Sequence, residues 1–362
     1  MTERGAASPD NDSTAQLLEH VQHALAAREP LYLRAGNSKR HLCGRDCDAA
    51  ELDISAHRGI ENYEPGELVL TARAATPLVE IQAALASEQQ MLAFEPPLFD
   101  GRATLGGTLA CNLSGPARPW AGSIRDMVLG VQLINGRGEL LNFGGRVMKN
   151  VAGYDVSRLQ AGALGTLGLM TRITLKVVPR PEKVLTLTYE MDAASAIATM
   201  NQRAGQPRPL TAACWLEGRL YLRLAGAASA VDATASTWGG EGLDASVDFW
   251  SGLRDFEHPY FSGDAPLWRF SINSNSPPWH DLPPALLDWG GAQRWLRGQF
   301  DPEPLQRRAR EAGGHASLFR GGNRQDEVRT PLSSLEQGLH QRLKSAFDPQ
   351  GIFNPGRLYR WI

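Results

Sequence analysis

The chain has 362 residues, with 37 basic and 39 acidic side chains and a formal net charge of −2. This length is enough for two domains, and the balanced charge gives no support to a nucleic-acid-binding function or an acidic tail. Four cysteines are too few for a disulfide framework and are typical of a reducing cytosol. The polar N-terminus lacks a signal-peptide pattern, and no apolar run is long enough to cross a bilayer. We therefore expect a cytoplasmic protein.

After a start that we expect to be disordered (1–13), the first ninety residues predict two helices and three strands. In chain order these are helix Thr14–Arg28, strands Leu31–Arg34, Leu52–Ser55 and Leu68–Arg73, and helix Thr76–Gln89. Both helices place apolar residues three and four positions apart, as an amphipathic helix does. The segment Ile60–Gly66 predicts a turn-rich connection. Strands that alternate with helices indicate a small α/β unit with parallel pairing.

The segment Ala35-Gly36-Asn37-Ser38-Lys39 follows the first predicted strand directly. A strand that runs into Gly-Asn-Ser can form a loop whose backbone N–H groups hold a phosphate. Many ordinary turns have the same composition, so the residues alone leave both interpretations open.

Fourteen of the 37 glycines fall between Gly101 and Met170. The same stretch predicts strands at Val128–Ile134, Glu139–Phe143 and Met170–Val178, because it is rich in β-forming residues. A single glycine there is best explained by a turn or a bulge. Repeated Gly-Gly and Ser/Thr-Gly pairs at successive strand ends favour close backbone approach to a large anionic ligand, such as a dinucleotide.

The sequence changes character after Pro179-Arg180-Pro181, a plausible domain boundary. Beyond it we predict a strand, a helix, a hairpin and a helix over 184–238, an order that indicates an α+β plate. Seven of the nine tryptophans fall between Trp215 and Trp295, and they are interpreted equally well as core residues or as a partner interface. The interface interpretation requires that two or more of these tryptophans are exposed to solvent in the isolated chain. A last amphipathic helix is predicted at Ser334–Phe347.

The glycine-rich block resembles the FAD-binding domain of the vanillyl-alcohol oxidase / p-cresol methylhydroxylase family. The resemblance covers about 30–183 and 347–358. It rests on Thr104–Gly107, Ser114-Gly115, Gly122–Asp126, Gly153–Asp155 and Gly165–Gly168. Within that family, the short length and the segments Arg34–Lys39 and Lys149–Asp155 are similar to the smaller FAD-binding subunits of bacterial glycolate oxidases.

The resemblance implies an α+β fold with a PCMH-type FAD-binding domain in two parts, one small and α/β, the other larger and mostly antiparallel. It implies domains at 1–183 and 184–330, with 331–362 returning to the FAD domain. The FAD would be dissociable, because the first loop has no histidine at the position that links flavin in some relatives, and Cys111 lies on the wrong side. The implied cofactor-binding residues are Arg34, Ala35, Gly36, Asn37, Ser38, Lys39, Pro97, Thr104, Leu105, Gly106, Gly107, Ser114, Gly115, Asp126, Gly162, Gly165, Thr166, Gly168 and Met170.

No catalytic residue or metal site is predicted. The chain has no Rossmann or phosphate-loop motif, and Cys43 and Cys47 lack partners at zinc spacing. Its central histidines, His258, His280 and His315, are isolated, unlike the clustered histidines of the larger catalytic relatives. Four arginines are possible carboxylate clamps but are more often surface charges: Arg269, Arg294, Arg297 and Arg320.

The implied function is that of an FAD subunit in a glycolate oxidase (glycolate dehydrogenase) complex that is inactive alone. Its partners would be a larger FAD subunit and an iron–sulfur subunit. The complex would convert glycolate to glyoxylate and pass electrons to an acceptor such as quinone, reaching the inner membrane only through those partners. Two alternatives are a self-sufficient FAD-dependent 2-hydroxy-acid dehydrogenase and a structural subunit that has lost useful flavin.

Overall fold

The computed structural model describes residues 12–145, 154–244 and 246–362. The first eleven residues of the predicted disordered start, and residues 149–153 of the segment Lys149–Asp155, lie outside these ranges.

The described residues form eleven α-helices and seventeen β-strands. The helices are α1 (Thr14–Ala27), α2 (Leu78–Ser87), α3 (Leu105–Cys111), α4 (Arg118–Ala121), α5 (Ile124–Met127), α6 (Val156–Leu159), α7 (Ala193–Ala204), α8 (Ala228–Trp238), α9 (Ser246–Asp255), α10 (Pro302–Glu311) and α11 (Ser334–Phe347). The strands are β1 (Leu31–Arg34), β2 (Ala50–Asp53), β3 (Ile60–Glu64), β4 (Val69–Arg73), β5 (Gln90–Met91), β6 (Val128–Ile134), β7 (Leu140–Gly144), β8 (Leu169–Lys176), β9 (Val178–Pro179), β10 (Lys183–Glu190), β11 (Leu210–Leu216), β12 (Arg219–Gly226), β13 (Glu241–Gly242), β14 (Leu267–Ser271), β15 (Leu286–Asp288), β16 (Gln293–Arg297) and β17 (His315–Arg320).

A five-stranded antiparallel sheet, in the order β3-β4-β8-β6-β7, forms the centre of the N-terminal half. The predicted hairpin between β6 and β7 is confirmed, with Asn135 N–H donating to the Glu139 carbonyl at 3.0 Å. Helices α2 and α3 supply Leu78, Leu85 and Leu109 to the core that covers one face of this sheet. Burial of these apolar side chains is the main force that holds helices and sheet together.

The small parallel unit is confirmed for its first two strands only. Strands β1 and β2 pair in parallel, and α1 covers them with Leu17, Val21 and Ala24. The third predicted strand, β4, instead pairs with β8 in the antiparallel sheet. The turn prediction for 60–66 is wrong over its first five residues, because Ile60–Glu64 forms an edge strand on β4 and only the last residues make the turn.

An eight-stranded antiparallel sheet, in the order β13-β10-β12-β11-β15-β16-β14-β17, forms the other half. The predicted strand, helix, hairpin and helix correspond to β10, α7, β11–β12 and α8, so that prediction is confirmed. Buried residues of α7 and α8 pack on one part of this sheet, and those of α10 pack on β14 and β17. The chain is therefore an α+β protein whose two large sheets are both antiparallel.

The seven central tryptophans are not exposed, so the exposure that the interface interpretation requires is absent. Trp250, Trp268, Trp289 and Trp295 are buried, and the other three are half-buried. Several indole N–H groups donate inside the protein, for example from Trp250 to the Thr186 hydroxyl at 2.9 Å. These rings contribute to the apolar core of the second half, and five of the seven indole N–H groups donate to other groups of the described chain.

The last helix and the tail return to the first half. The ammonium of Lys344 on α11 donates to the Thr166 carbonyl at 2.8 Å and to the Phe353 carbonyl at 3.0 Å. It also pairs with the buried carboxylate of Asp348 at 2.8 Å. A buried ion pair is costly to break from one side, because the remaining charge loses its partner.

We expect Lys344→Met to lower the free energy of unfolding by roughly 3 kcal/mol, since the substitution leaves the Asp348 carboxylate buried without its cation. Urea unfolding at pH 7 measures the change. The exposed pair between Arg308 and Asp281 gives the control, because Arg308→Ala should cost less than about 1 kcal/mol. If both substitutions lower the free energy of unfolding equally, the buried pair of Lys344 and Asp348 stabilises the protein no more than an exposed ion pair does.

Candidate cofactor-binding site

A cleft runs across the first half, between the loop after β1, the start of α3, the segment before β8 and the C-terminal tail. Twelve of the nineteen residues predicted from the sequence line it. They are Arg34, Ala35, Gly36, Asn37, Ser38, Lys39, Thr104, Gly106, Gly107, Gly165, Gly168 and Met170.

The loop after β1 is held closely against neighbouring backbone. A Cβ at Gly36 would lie 1.9 Å from the Arg102 carbonyl oxygen, so no larger residue fits there without a shift of the backbone. Arg34 at the end of β1 pairs with Asp53 at 2.5 Å and with Glu51 at 2.9 Å. Arg34 therefore fixes the loop to strand β2 as well as lining the cleft.

Lys39 is a buried cation of the cleft. Its ammonium is 3.2 Å from the Ser38 hydroxyl and 5.2 Å from the centre of the Phe99 ring, and it forms no ion pair with a described residue. Burial lowers the pKa of this ammonium. A buried cation without a counter-charge is costly, so the site favours an anionic group beside Lys39.

The start of α3 differs from what the sequence indicated, because Thr104–Gly107 begins a helix and does not end a strand. The Thr104 hydroxyl accepts from the Gly107 N–H at 3.4 Å as the N-cap. The two glycines have different neighbours. A Cβ at Gly106 would lie 2.8 Å from the Ala74 Cβ, whereas one at Gly107 would lie 3.8 Å from the Lys39 ammonium, inside the cleft.

Two residues of the tail line the cleft and were not among the predicted site residues. The Asn354 amide donates to the Leu164 carbonyl at 2.6 Å and accepts from the Leu33 N–H at 2.8 Å. The Arg357 guanidinium donates to the Lys39 carbonyl at 3.0 Å and the Arg40 carbonyl at 2.6 Å. The sequence Asn-Pro-Gly-Arg is typical of a turn, and only the fold shows that its side chains reach β1 and the loop after it.

Seven predicted site residues lie outside the cleft lining, and four of them have evident structural roles. Leu105 is a core residue, and the Thr166 hydroxyl donates to the Ala163 carbonyl at 2.7 Å. Asp126 caps a helix through Ser123. The Gly115 carbonyl accepts from the Trp289 indole at 3.0 Å and so joins the two halves.

The other three are Pro97, Ser114 and Gly162. Pro97 is buried, and Gly162 lines a second cavity that adjoins the cleft. The Ser114 hydroxyl is buried and has no hydrogen-bond partner among the described residues, and the same holds for the Asn112 side-chain oxygen. A buried polar atom without a partner is expected to meet a ligand or water.

The second cavity has a volume of about 670 Å³ and meets the cleft at Cys111, which lines both. The neighbouring Cys111 thiol lowers the pKa of Cys43, and the neighbouring Cys43 raises that of Cys111. Of the possible carboxylate clamps, Arg269 lines this cavity, and so does His315 among the central histidines.

The other three candidate clamps act inside the fold. The Arg294 guanidinium donates to the Pro277 carbonyl at 2.8 Å, and that of Arg297 to the Tyr260 carbonyl at 3.0 Å. Arg320 donates to the Phe261 carbonyl. These arginines therefore stabilise loops of the second half and do not face the second cavity.

Comparison with known proteins decides the family. The profile of the FAD binding domain matches residues 11–144. Glycolate oxidase subunit GlcE of Escherichia coli is 46% identical over 349 residues, which are 96% of this chain and 98% of that protein. The chain belongs to the GlcE family.

Further similarities of this GlcE family member are more partial. Glycolate oxidase subunit GlcD of Bacillus subtilis is 32% identical over 173 residues, 46% of this chain and 36% of that protein. A solved structure of alkyldihydroxyacetonephosphate synthase covers 94% of this chain and 74% of its own, with a TM-score of 0.64 at 15% identity. The last similarity shows the fold alone.

The cofactor of this GlcE family member is FAD, and the residues of the cleft fit it. The buried Lys39 ammonium needs an anion, and a diphosphate supplies one. A Cβ at Gly107 would lie 3.1 Å from the Thr104 hydroxyl and 3.8 Å from the Lys39 ammonium, so a side chain there would enter the cleft beside Lys39. The described residues hold no helix that is both long and apolar enough to span a bilayer, and within them no three His, Cys, Asp or Glu side chains are grouped as metal ligands would be.

We expect Gly107→Val to abolish FAD retention while the protein stays folded, because its side chain would project into the cleft toward Lys39. The flavin-to-protein ratio after gel filtration measures retention, and far-UV circular dichroism measures folding. Gly106→Val should instead impair folding, since its Cβ would clash with Ala74.

Gly338→Val is the matched control for both substitutions, because a Cβ at Gly338 on α11 meets open space. It should retain both fold and FAD. A Gly107→Val protein that keeps a full complement of FAD would show that the cofactor does not occupy the space next to Gly107.

Proposed function

We propose that the chain is the FAD-binding subunit of a complex that oxidises glycolate to glyoxylate. The observation that carries this proposal is the match to the E. coli GlcE subunit over 98% of that protein. The cleft supports it independently, because its lining combines a buried cation with glycines that allow close approach to a nucleotide. This favours a subunit with working flavin over one that has lost it.

Each part of the cleft has a proposed role in holding FAD. Lys39 and the backbone N–H groups of residues 35–38 would bind the diphosphate, while Gly107 would leave room beside Lys39. Gly165 and Gly168 would instead allow close packing of the segment before β8, because a Cβ at either position would meet neighbouring protein atoms. Bound FAD supplies two-electron chemistry. Arg357 and Asn354 would act as positioning residues, because they hold the loops that line the cleft.

We propose a discontinuous FAD domain of 1–183 and 331–362, with a second domain at 184–330. Three observations support this division. The eight-stranded sheet lies wholly within 183–320. Lys344 contacts the Thr166 carbonyl of the cleft segment, and Ile352 joins the core of α1 and β1.

The proposed partners are a larger FAD subunit and an iron–sulfur subunit, with a quinone-type acceptor and a cytoplasmic location at the inner membrane. Both glycolate oxidase relatives are subunits of a larger enzyme, which supports a complex of several subunits. Co-purification from cells that express the three subunits tests this, and a full-length chain that elutes alone would contradict it.

We expect the FAD to be released by acid precipitation, because no histidine of the described residues lines the cleft. The cysteine that does line it, Cys111, has a raised pKa, because Cys43 is adjacent and the thiol is buried, so the thiol stays protonated and is a poor nucleophile. The absorbance of supernatant and pellet at 450 nm measures the release. Yellow colour in the pellet would contradict the prediction, and Cys111→Ala would then show whether this thiol forms the bond.

A self-sufficient dehydrogenase is the second candidate, and the cavity beside the cleft favours it because Arg269 and His315 both face the cavity. Anaerobic mixing of the isolated, FAD-loaded chain with glycolate decides between them. For a subunit that needs partners, the flavin of the isolated chain should stay oxidised, whereas the reconstituted complex should reduce an electron-accepting dye. Rapid bleaching of the isolated chain would establish the second candidate.

A further inference from the structure

Four arginines face the second cavity, which we call the arginine cavity: Arg118, Arg269, Arg310 and Arg329. They come from distant parts of the chain, namely α4, β14, α10 and the segment after β17. The cavity of about 670 Å³ is large enough for a small organic molecule. It adjoins the proposed FAD site through Cys111.

The charge of this cavity is not compensated by the described residues. None of the four guanidiniums forms an ion pair with a described carboxylate, and the Arg329 Nε is buried without a hydrogen-bond partner among them. Among the described residues, Glu336 is the one acidic residue that lines the cavity. Its carboxylate already accepts from the Ser333 N–H at 2.8 Å and the Ser333 hydroxyl at 2.7 Å. None of the four arginines therefore has a described carboxylate in direct contact.

Arg269 is the most constrained of the four. Its Nε donates to the Gln293 oxygen at 2.7 Å, and Gln293 donates in turn to the Asp288 carboxylate at 3.1 Å. The guanidinium lies 5.1 Å from the centre of the Trp289 ring, and Arg118 lies 4.6 Å from the same ring. Trp289 and Gln293 thus hold the Arg269 fork in place, while its two terminal nitrogens have no partner among the described residues.

The lining indicates the class of anion. The N–H groups of Gly313 and Gly314 already donate to backbone carbonyls, at 3.0 and 2.8 Å, so they do not form the free amide nest that is common in phosphate sites. The available donors are planar guanidinium forks, which match a carboxylate bidentately. Trp289, Phe319 and Leu332 supply apolar wall for a carbon skeleton.

We propose that the arginine cavity binds a small organic carboxylate next to the flavin. That this acid is a 2-hydroxy acid or the corresponding 2-oxo acid rests on the proposed function. The cavity would then give this subunit its own site for an acid substrate or product, in addition to any site on its partners.

Isothermal titration of the full-length, FAD-loaded chain tests the proposal. Glycolate and oxalate are the carboxylate probes, and inorganic phosphate and sulfate are the comparison anions. We expect saturable binding of the carboxylates with a dissociation constant at least tenfold lower than that of phosphate or sulfate. Arg329→Gln and Arg310→Gln should each weaken carboxylate binding at least tenfold, with unchanged FAD content.

Arg308→Gln is the matched control, because Arg308 lies on the same helix as Arg310 but pairs with Asp281 outside the cavity. It should change the dissociation constant less than twofold. If Arg329→Gln fails to fold, Arg310→Gln still tests the cavity, because Arg310 is exposed at its edge.

Three outcomes would overturn the proposal. Phosphate or sulfate that binds as tightly as the acids would contradict the carboxylate class. Equal weakening by Arg308→Gln would show non-specific attraction to surface charge. No saturable binding by a chain that holds its FAD would refute the acid site and leave the proposed function intact, whereas a chain that binds acids but no FAD would refute the proposed function.

Discussion

The side-chain amide of Asn354 connects the parts of the cleft that are farthest apart in the sequence. It accepts from the Leu33 backbone on β1 and donates to the Leu164 carbonyl before β8. Gly165 makes this possible, because a Cβ there would lie 2.6 Å from the Asn354 nitrogen. Together with Lys344 and Arg357, Asn354 fixes the spacing of the two loops, and any nucleotide in the cleft depends on that spacing.

Positive charge withdrawn from water is the common property of the cleft and the arginine cavity. Lys39 is buried in the first, and Arg269 and Arg329, which line the second, are half-buried. Cations that are removed from water without a partner are unfavourable, so both compartments are prepared for anions at a cost to the stability of the empty protein. Binding of an anion in either compartment should therefore stabilise the folded state.

Local patterns predicted much of the secondary structure and the first loop of the site, whereas contacts between distant segments were not predictable. Strand β6 and helix α11 have the bounds that hydrophobic periodicity indicates. The strand end predicted at Thr104–Gly107 is wrong, because the segment begins helix α3. A glycine pair is compatible with a strand end and with a helix start. Arg118 and Arg329 are far apart in the sequence, and only the tertiary fold brings both to the same cavity. Gly115 was assigned to the cofactor but supports the contact between the two halves.

The tail contacts also have a consequence for biosynthesis. Proteins emerge from the ribosome from their N-terminus, and N-terminal segments can begin to fold while synthesis continues. The loop at residues 35–39 is among the first parts to emerge, yet Arg357, which binds its carbonyls, is made more than three hundred residues later. The loop of the proposed FAD site therefore lacks these contacts until the tail has been translated, and we expect FAD to bind only after synthesis of the whole chain.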